Sequence, residues 1–328
     1  MHPFEYARAG DAAGAVAALA GDPEAAFIAG GTELVNWLKD GIERPGRVVD
    51  INRLPLGQIE ATSAGLRIGT LARMSDVAAH RAVRSGFPAL AEALERSASA
   101  QLRNMASMGG NLLQRTRCPY FRAETDLPCN KRRPGSGCAA REGLNRTHAI
   151  FGWSDACVAT HPSDAAVALR ALEASVRVLG RGGERSIPLA DFYRLPGDAP
   201  ERDTVLEHGE LIVGIDVPAT PRARRSWYVK VRERASYEFA LVSAAVALDL
   251  DGGRIREVRI ALGGVAPMPW PLTEAERALA GLPLERAALA RAVDGAFSEA
   301  RPLARNAFKI ALAKRTVVRA LEIAGGMA

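Results

Sequence analysis

The chain has 328 residues, 48% of them apolar and 24% charged, with a formal net charge of +6. That composition describes a globular chain of two or three domains, long enough to bury a core without covalent staples. No apolar run approaches the roughly 20 residues of a spanning helix. The opening MHPFEYARAG carries no secretory-signal pattern, and no basic stripe interleaved with aromatics suggests nucleic-acid binding.

Ala12 to Leu19 has a helical pattern, and residues 26–29 read as a short buried strand. Gly30-Gly31-Thr32 turns that strand into a helix from Glu33 to Asp40, and Val48 to Ile51 forms the next strand. Two glycines at such a junction let backbone N–H groups converge on an anion, but they serve equally as a plain turn. The segment is neither a G-x-G-x-x-G fingerprint nor a Walker A loop. A second unit follows, with a strand from Leu66 to Leu71 and helices from Met74 to His80 and Phe87 to Arg96. Residues Ala106-Ser-Met-Gly-Gly-Asn111 then make a second glycine turn, flanked by side-chain donors. Two such turns suit a dinucleotide, which needs anchoring at its pyrophosphate and along its sugar chain.

All four cysteines, Cys118, Cys129, Cys138 and Cys157, fall in the next 40 residues. A chain this long has no need of disulfides, so metal is the better explanation. Zinc ribbons pair their ligands as C-x2-C knuckles. Here the gaps are ten, eight and eighteen residues, which better suits a long loop wrapped around a [4Fe–4S] cluster. Eight basic residues and three acids lie between Arg115 and Arg146, a net +5. Positive surroundings favour a negatively charged cluster, although a solvated basic loop with incidental cysteines has the same composition. Prolines and the run Gly135-Ser136-Gly137 suit irregular ligand-bearing backbone.

In Thr160-His-Pro-Ser-Asp164, Ser163 reads as an N-cap with Asp164 in the first turn, and His161 as a structural residue. A helix from Asp164 to Ala174 and a strand from Ser175 to Leu179 follow, and Gly180 to Gly183 makes a hairpin turn. The character changes near Pro218 to Pro221. Beyond lie strands Trp227 to Arg232, Ala240 to Leu250 and Ile255 to Leu262, the last two joined through Asp251-Gly252-Gly253. Thr273-x-x-Glu276 has the form of a capping box, and helices at Leu284 to Phe297 and Ala304 to Ile323 close the chain. No histidine pairs with a serine elbow, so no acid/base machinery is evident. The chain reads as a carrier of cofactors and electrons.

The ordered marks Ala29-Gly-Gly-Thr-Glu-Leu34, Gln101 to Asn104, Ser107-Met-Gly-Gly-Asn111, Ser163-Asp164, Gly209 to Pro218 and Lys230 to Ala240 resemble the FAD-binding subunit of the molybdenum hydroxylases. This is the family of xanthine dehydrogenases, carbon monoxide dehydrogenase and aldehyde oxidoreductases. Most members run almost directly from the second glycine turn to the Ser-Asp pair. The cysteine loop inserted here resembles the periplasmic aldehyde oxidoreductase branch, whose FAD subunit carries an extra [4Fe–4S] cluster. The resemblance implies all four cysteines as ligands.

It also implies an α+β fold: a two-part FAD-binding domain of the vanillyl-alcohol-oxidase (PCMH) type over residues 1–221, then a C-terminal domain over 222–328 with a three-stranded antiparallel sheet and helices. The first would divide into 1–55 and 56–221, with the iron–sulfur loop at 112–160. Ile28, Ala29, Gly30, Gly31, Thr32, Glu33 and Leu34 would surround the FAD pyrophosphate. Ser107, Gly110 and Asn111 would meet the pyrophosphate and ribityl chain, Asp164 would bind further along, and Ile212 would line the adenine side. Lys230 would lie near the isoalloxazine, Phe239 over one flavin face, and Tyr237 beside the ring or simply in the structure.

The function so implied is electron transfer within a heterotrimer. A molybdenum-cofactor large subunit would oxidise an aldehyde or N-heterocycle. A small subunit with two [2Fe–2S] clusters would relay electrons to FAD, which would reduce an external acceptor. The alternatives are a self-sufficient flavoprotein oxidase and a zinc-stabilised scaffold whose basic loop docks an acidic partner. The sequence by itself points to the cytoplasm, or to the periplasm if a signal-bearing partner carries the folded complex across.

Overall fold

A computed structural model describes residues 1–327. Its chain forms three sheets. The first is parallel, from β1 (Glu5–Arg8), β2 (Ala25–Ile28) and β3 (Arg47–Asp50) in the order β1-β3-β2. Parallel neighbours require crossovers, supplied by the helices Ala12–Ala20 and Leu34–Lys39. Asp11 caps the first of these by accepting from the Gly14 amide at 2.7 Å.

The second sheet is antiparallel: β4 (Ile59–Thr62), β5 (Gly65–Gly69), β6 (Ser175–Gly180), β7 (Gly183–Pro188) and β8 (Leu211–Pro218), in the order β4-β5-β8-β6-β7. Residues 70–174 leave this sheet after β5 and return at β6. That excursion contains the second glycine turn and the whole cysteine loop. The third sheet holds β9 (Ser226–Val231), β10 (Val242–Asp251), β11 (Arg254–Gly263) and β12 (Trp270–Pro271). It thus has four strands where three were expected, because Trp270 and Pro271 pair with Leu262 and Ala261.

Alternation along β10 explains how the layers meet. Val242, Ala244, Val246 and Leu248 face the helix Phe308–Ala324 in one core. Ala245 and Ala247 face a second core, shared with the helices Pro88–Glu95 and Asp164–Ala171 and the second sheet. Alanine on that side lets the alanine-rich helix Asp164–Ala171 approach closely, so both sheets clamp one helical layer. The expected capping box at Thr273 does not form. That helix begins after Leu272 without a side-chain cap, and the Glu276 carboxylate instead accepts from the Ile260 amide at 2.8 Å. Pairing to a strand edge outcompetes the local contact. No helix among the described residues is long and apolar enough to cross a membrane.

Candidate cofactor sites

The two glycine turns are far apart in sequence and adjacent in space. Gly30 follows β2, and a Cβ built on it would lie 1.8 Å from the Met105 carbonyl oxygen. Only glycine permits that approach. Gly31 takes φ +73°, again a glycine conformation. Two residues that sequence reasoning missed stitch the turns together. Arg73 donates to the Met105 carbonyl at 2.6 Å and to Asn52 Oδ1 at 3.1 Å, while Asn52 donates to the Ala29 carbonyl at 2.8 Å. Among the described residues, the amides of Gly30, Gly31, Thr32 and Glu33 have no protein acceptor. Such unpaired N–H groups fit a phosphate-bearing ligand.

In the second turn, Ser107 accepts from the Gly110 amide at 3.3 Å, and Gly109 packs where a Cβ would meet Thr70 Oγ1 at 1.9 Å. Asn111 Oδ1 accepts from Ser163 Oγ at 2.6 Å, and Ser163 caps the helix Asp164–Ala171 as expected, accepting from Ala166 at 3.0 Å. The expected residues Ser107, Gly110 and Asn111 therefore share one network with Ser163, the chain neighbour of Asp164. Asp164 itself is buried. Its carboxylate accepts from Lys230 Nζ at 2.7 Å, from Ser97 Oγ at 3.0 Å and from the Tyr228 hydroxyl. Burial and the Asp164 charge hold that phenol well above its ordinary pKa, so it stays a donor. Lys230 also donates to the Arg96 carbonyl at 3.1 Å.

Asp164 and Phe239 line a cavity of about 170 Å³ together with Arg117, Cys118, His148 and Ser163. The Arg117 guanidinium lies 4.9 Å from the Phe239 ring centroid, a cation–π contact that holds an otherwise half-exposed aromatic at the cavity wall. Lys230 reaches the cavity through Asp164. Tyr237 stands away, 58% exposed at φ +52°, its carbonyl accepting from Arg234. Ile212 is placed in the core between sheets and helices, whereas its neighbours Leu211 and Val213 pack with Phe27 and Ala29 beneath the first turn. Period-two alternation on β8 sends Ile212 to the opposite face from that turn.

Residues 112–160 contain no regular element beyond the end of the helix Met108–Leu112, yet their four cysteines line one small pocket. Cys129 and Cys138 sit side by side in a small antiparallel bridge, closed by Asn130 N to Gly137 O at 2.8 Å and Ala139 N to Pro128 O at 2.9 Å. Gly135 and Gly137, at φ +83° and +96°, make its turn. All four are free thiols. Burial pushes the Cys118 thiol up to about 12 and that of Cys157 to about 11, with Lys131 opposing the rise at Cys157. Buried thiols of this kind become stable anions only beside compensating positive charge, as ligated iron would provide. No three His, Cys, Asp or Glu side chains among the described residues gather closely enough to hold a single metal ion. Four cysteine sulfurs around one pocket are the donor set that an iron–sulfur cluster would need.

The charge of this loop acts differently from its sequence reading. Arg117 and Arg122 both grip Glu33, Arg115 bonds Glu43 at 2.8 Å and Asp203 at 3.0 Å, and Lys131 pairs with Asp203. Arg133, Arg141 and Arg146 pair with Asp126, Asp155 and Glu233. Most of the net positive charge is thus matched by acids, several from distant segments, and it docks the loop onto the body. Glu33, expected at the pyrophosphate, directs its carboxylate to the two arginines and to Trp37 Nε1 at 3.0 Å, while its amide has no protein acceptor among the described residues. Thr116 and Cys118 line both cavities, so the two sites share a wall.

Residues 2–220 match the family described as the FAD binding domain in molybdopterin dehydrogenase, and residues 227–324 match the CO dehydrogenase flavoprotein C-terminal domain. The chain is 50% identical to the aldehyde oxidoreductase FAD-binding subunit PaoB of Escherichia coli K12, covering 98% of both chains. It is 28% identical to the glyceraldehyde dehydrogenase medium chain of Sulfolobus acidocaldarius, over 86% of this chain and 83% of that one. Among solved structures, a chain of the carbon monoxide dehydrogenase from Hydrogenophaga pseudoflava superposes with a TM-score of 0.77 at 28% identity, covering 99% of each.

Proposed function

The chain belongs to the FAD-binding subunits of the molybdenum hydroxylases, and from that premise we propose that it is the FAD- and [4Fe–4S]-bearing electron-transfer subunit of a heterotrimeric aldehyde oxidoreductase. Its partners would be a molybdenum-cofactor large subunit and a small subunit with two [2Fe–2S] clusters. The observation that carries the cluster is the convergence of Cys118, Cys129, Cys138 and Cys157, scattered over 40 residues, on a single cavity. The 50% identity to an aldehyde oxidoreductase subunit favours aldehydes as the substrate class of the complex.

The residues divide the work. The free amides at Gly30 to Glu33 would hold the pyrophosphate, with Ser107, Gly110 and Asn111 along the sugar chain. Asp164 and Lys230, locked to each other, would form the far wall, and Phe239 with Arg117 would border the ring. Bound there, FAD supplies the exchange of single electrons with iron–sulfur centres and of electron pairs with an outside acceptor. Four thiolates would ligate the cluster, and the protein's contribution is to exclude water and fix the distance between the sites.

Anaerobically purified chain is expected to release flavin on boiling and to contain iron and acid-labile sulfide near about four per chain. It should not oxidise aldehydes unaided. Cys138→Ser is expected to lose iron and the cluster's share of the visible absorbance while keeping its flavin band. One zinc per chain, or neither flavin nor iron, would overturn the reading.

A further inference from the structure

One side chain of the larger cavity meets a cysteine of the smaller one without belonging to any expected ligand set. His148 lines the larger cavity, is 2% exposed, and places Nε2 at 3.2 Å from Cys118 Sγ. We propose that His148 is a positioning residue for the cysteine-held cluster, donating a hydrogen bond to the Cys118 sulfur that raises the cluster's reduction potential. This rests on the cluster reading above.

The direction of the bond follows from the partner. A ligating thiolate is an acceptor only, so Nε2 must carry the proton. Nδ1 is buried and has no protein partner. A bare ring nitrogen there is consistent with the neutral Nε2–H tautomer.

The ring is also held in place. The His148 carbonyl accepts from Lys309 Nζ at 3.0 Å and from Asn306 Nδ2 at 3.1 Å, both buried on or beside the closing helix. The His148 amide donates to Asn145 at 3.1 Å, and the Tyr120 ring lies tilted 6.4 Å from the imidazole. Backbone anchored at both ends fixes the point from which the buried imidazole extends to the sulfur.

The consequence is electrostatic. Taking up an electron adds negative charge that spreads onto the sulfurs, and an N–H dipole aimed at one of them stabilises the reduced state more than the oxidised one. Cys118 is also the ligand whose residue borders both cavities. The bond therefore acts at the wall that the two cavities share.

The test is a redox titration of the iron-loaded full chain, followed by the electron paramagnetic resonance of the reduced cluster. His148→Phe keeps a flat ring and removes the donor, and its midpoint should fall at unchanged iron and flavin content. His148→Gln retains an N–H donor and should recover part of the shift, which a merely packing role would not produce. An iron-loaded His148→Phe with the wild-type midpoint overturns the proposal. If that variant cannot retain iron, wild-type protein labelled with nitrogen-15 histidine decides. Pulsed resonance should detect a weak imidazole-nitrogen coupling to the reduced cluster, and its absence counts against the bond. Wild-type protein devoid of iron is a different failure, for it removes the cluster reading itself.

Discussion

Asp164 and Lys230 form an ion pair whose side chains are 7% and 1% exposed. Removing one partner strands the other charge away from water. Lys230→Met is therefore expected to destabilise the chain by about 3–5 kcal/mol in urea melts, whereas a solvent-exposed lysine at that site would cost almost nothing. The pairing also revises what Lys230 can do. Its charge is matched by Asp164 inside the protein, so it stiffens the cofactor wall more than it adds free positive potential. At Gly30 the constraint is steric. The added methyl of Gly30→Ala would meet the backbone oxygen and carbon of Met105 at 1.8 and 2.7 Å, and backbone cannot swing aside as a side-chain tip does. The turns must separate, at a cost of about 1–3 kcal/mol or more. Purified Gly30→Ala should be colourless in the flavin band, and retention of stoichiometric flavin would contradict the cradle.

At the scale of elements, the helix Leu34–Lys39 and the cysteine loop are joined through Glu33. That carboxylate is 12% exposed and receives Arg117 and Arg122 together. Glu33→Ala leaves both guanidiniums without their acceptor, a loss of about 2–3 kcal/mol, and frees the loop from the first glycine turn. Faster proteolytic cutting within residues 112–160 and weaker flavin retention should appear together. If cutting alone accelerates, the two sites are independent. Many elements were legible in the sequence because their signals are local. The pattern at Ala12, the Ser163 cap and the Asp251-Gly252-Gly253 hairpin each declare themselves within a few residues. The strand Glu5–Arg8 was missed, since it is mostly exposed and exists only because β3 lies beside it. The capping box at Thr273 failed for the converse reason: a distant strand offered Glu276 a better partner.

Across the whole molecule, buried titratable groups are expected to contribute to acid sensitivity. Burial pushes the His161 imidazole down to about 4, with Asp203 opposing the fall and Lys131 adding to it. Unfolded, the same ring would protonate near its ordinary value of about 6.5. The unfolded state then binds the proton first, so this contribution is intact above about pH 6.5 and declines as pH falls toward the folded value. By about pH 5 the loss amounts to about 2 kcal/mol. His161→Gln should flatten the stability difference between about pH 7 and about pH 5, and an unchanged difference would show that other groups govern acid sensitivity.

The linear chain determined, unaided, which residue types were available: two glycine turns, four thiols in one stretch, and the Ser163-Asp164 helix start. Those properties are intrinsic to residues or their immediate neighbours. The fold alone decided that Met105 closes on Gly30, that Glu33, Asp203 and Glu233 neutralise the basic loop, that Ile212 turns into the core, and that His148 meets Cys118. Each of these joins segments separated by dozens of residues. Charge pairing and close packing depend on distance in space, which local sequence does not encode.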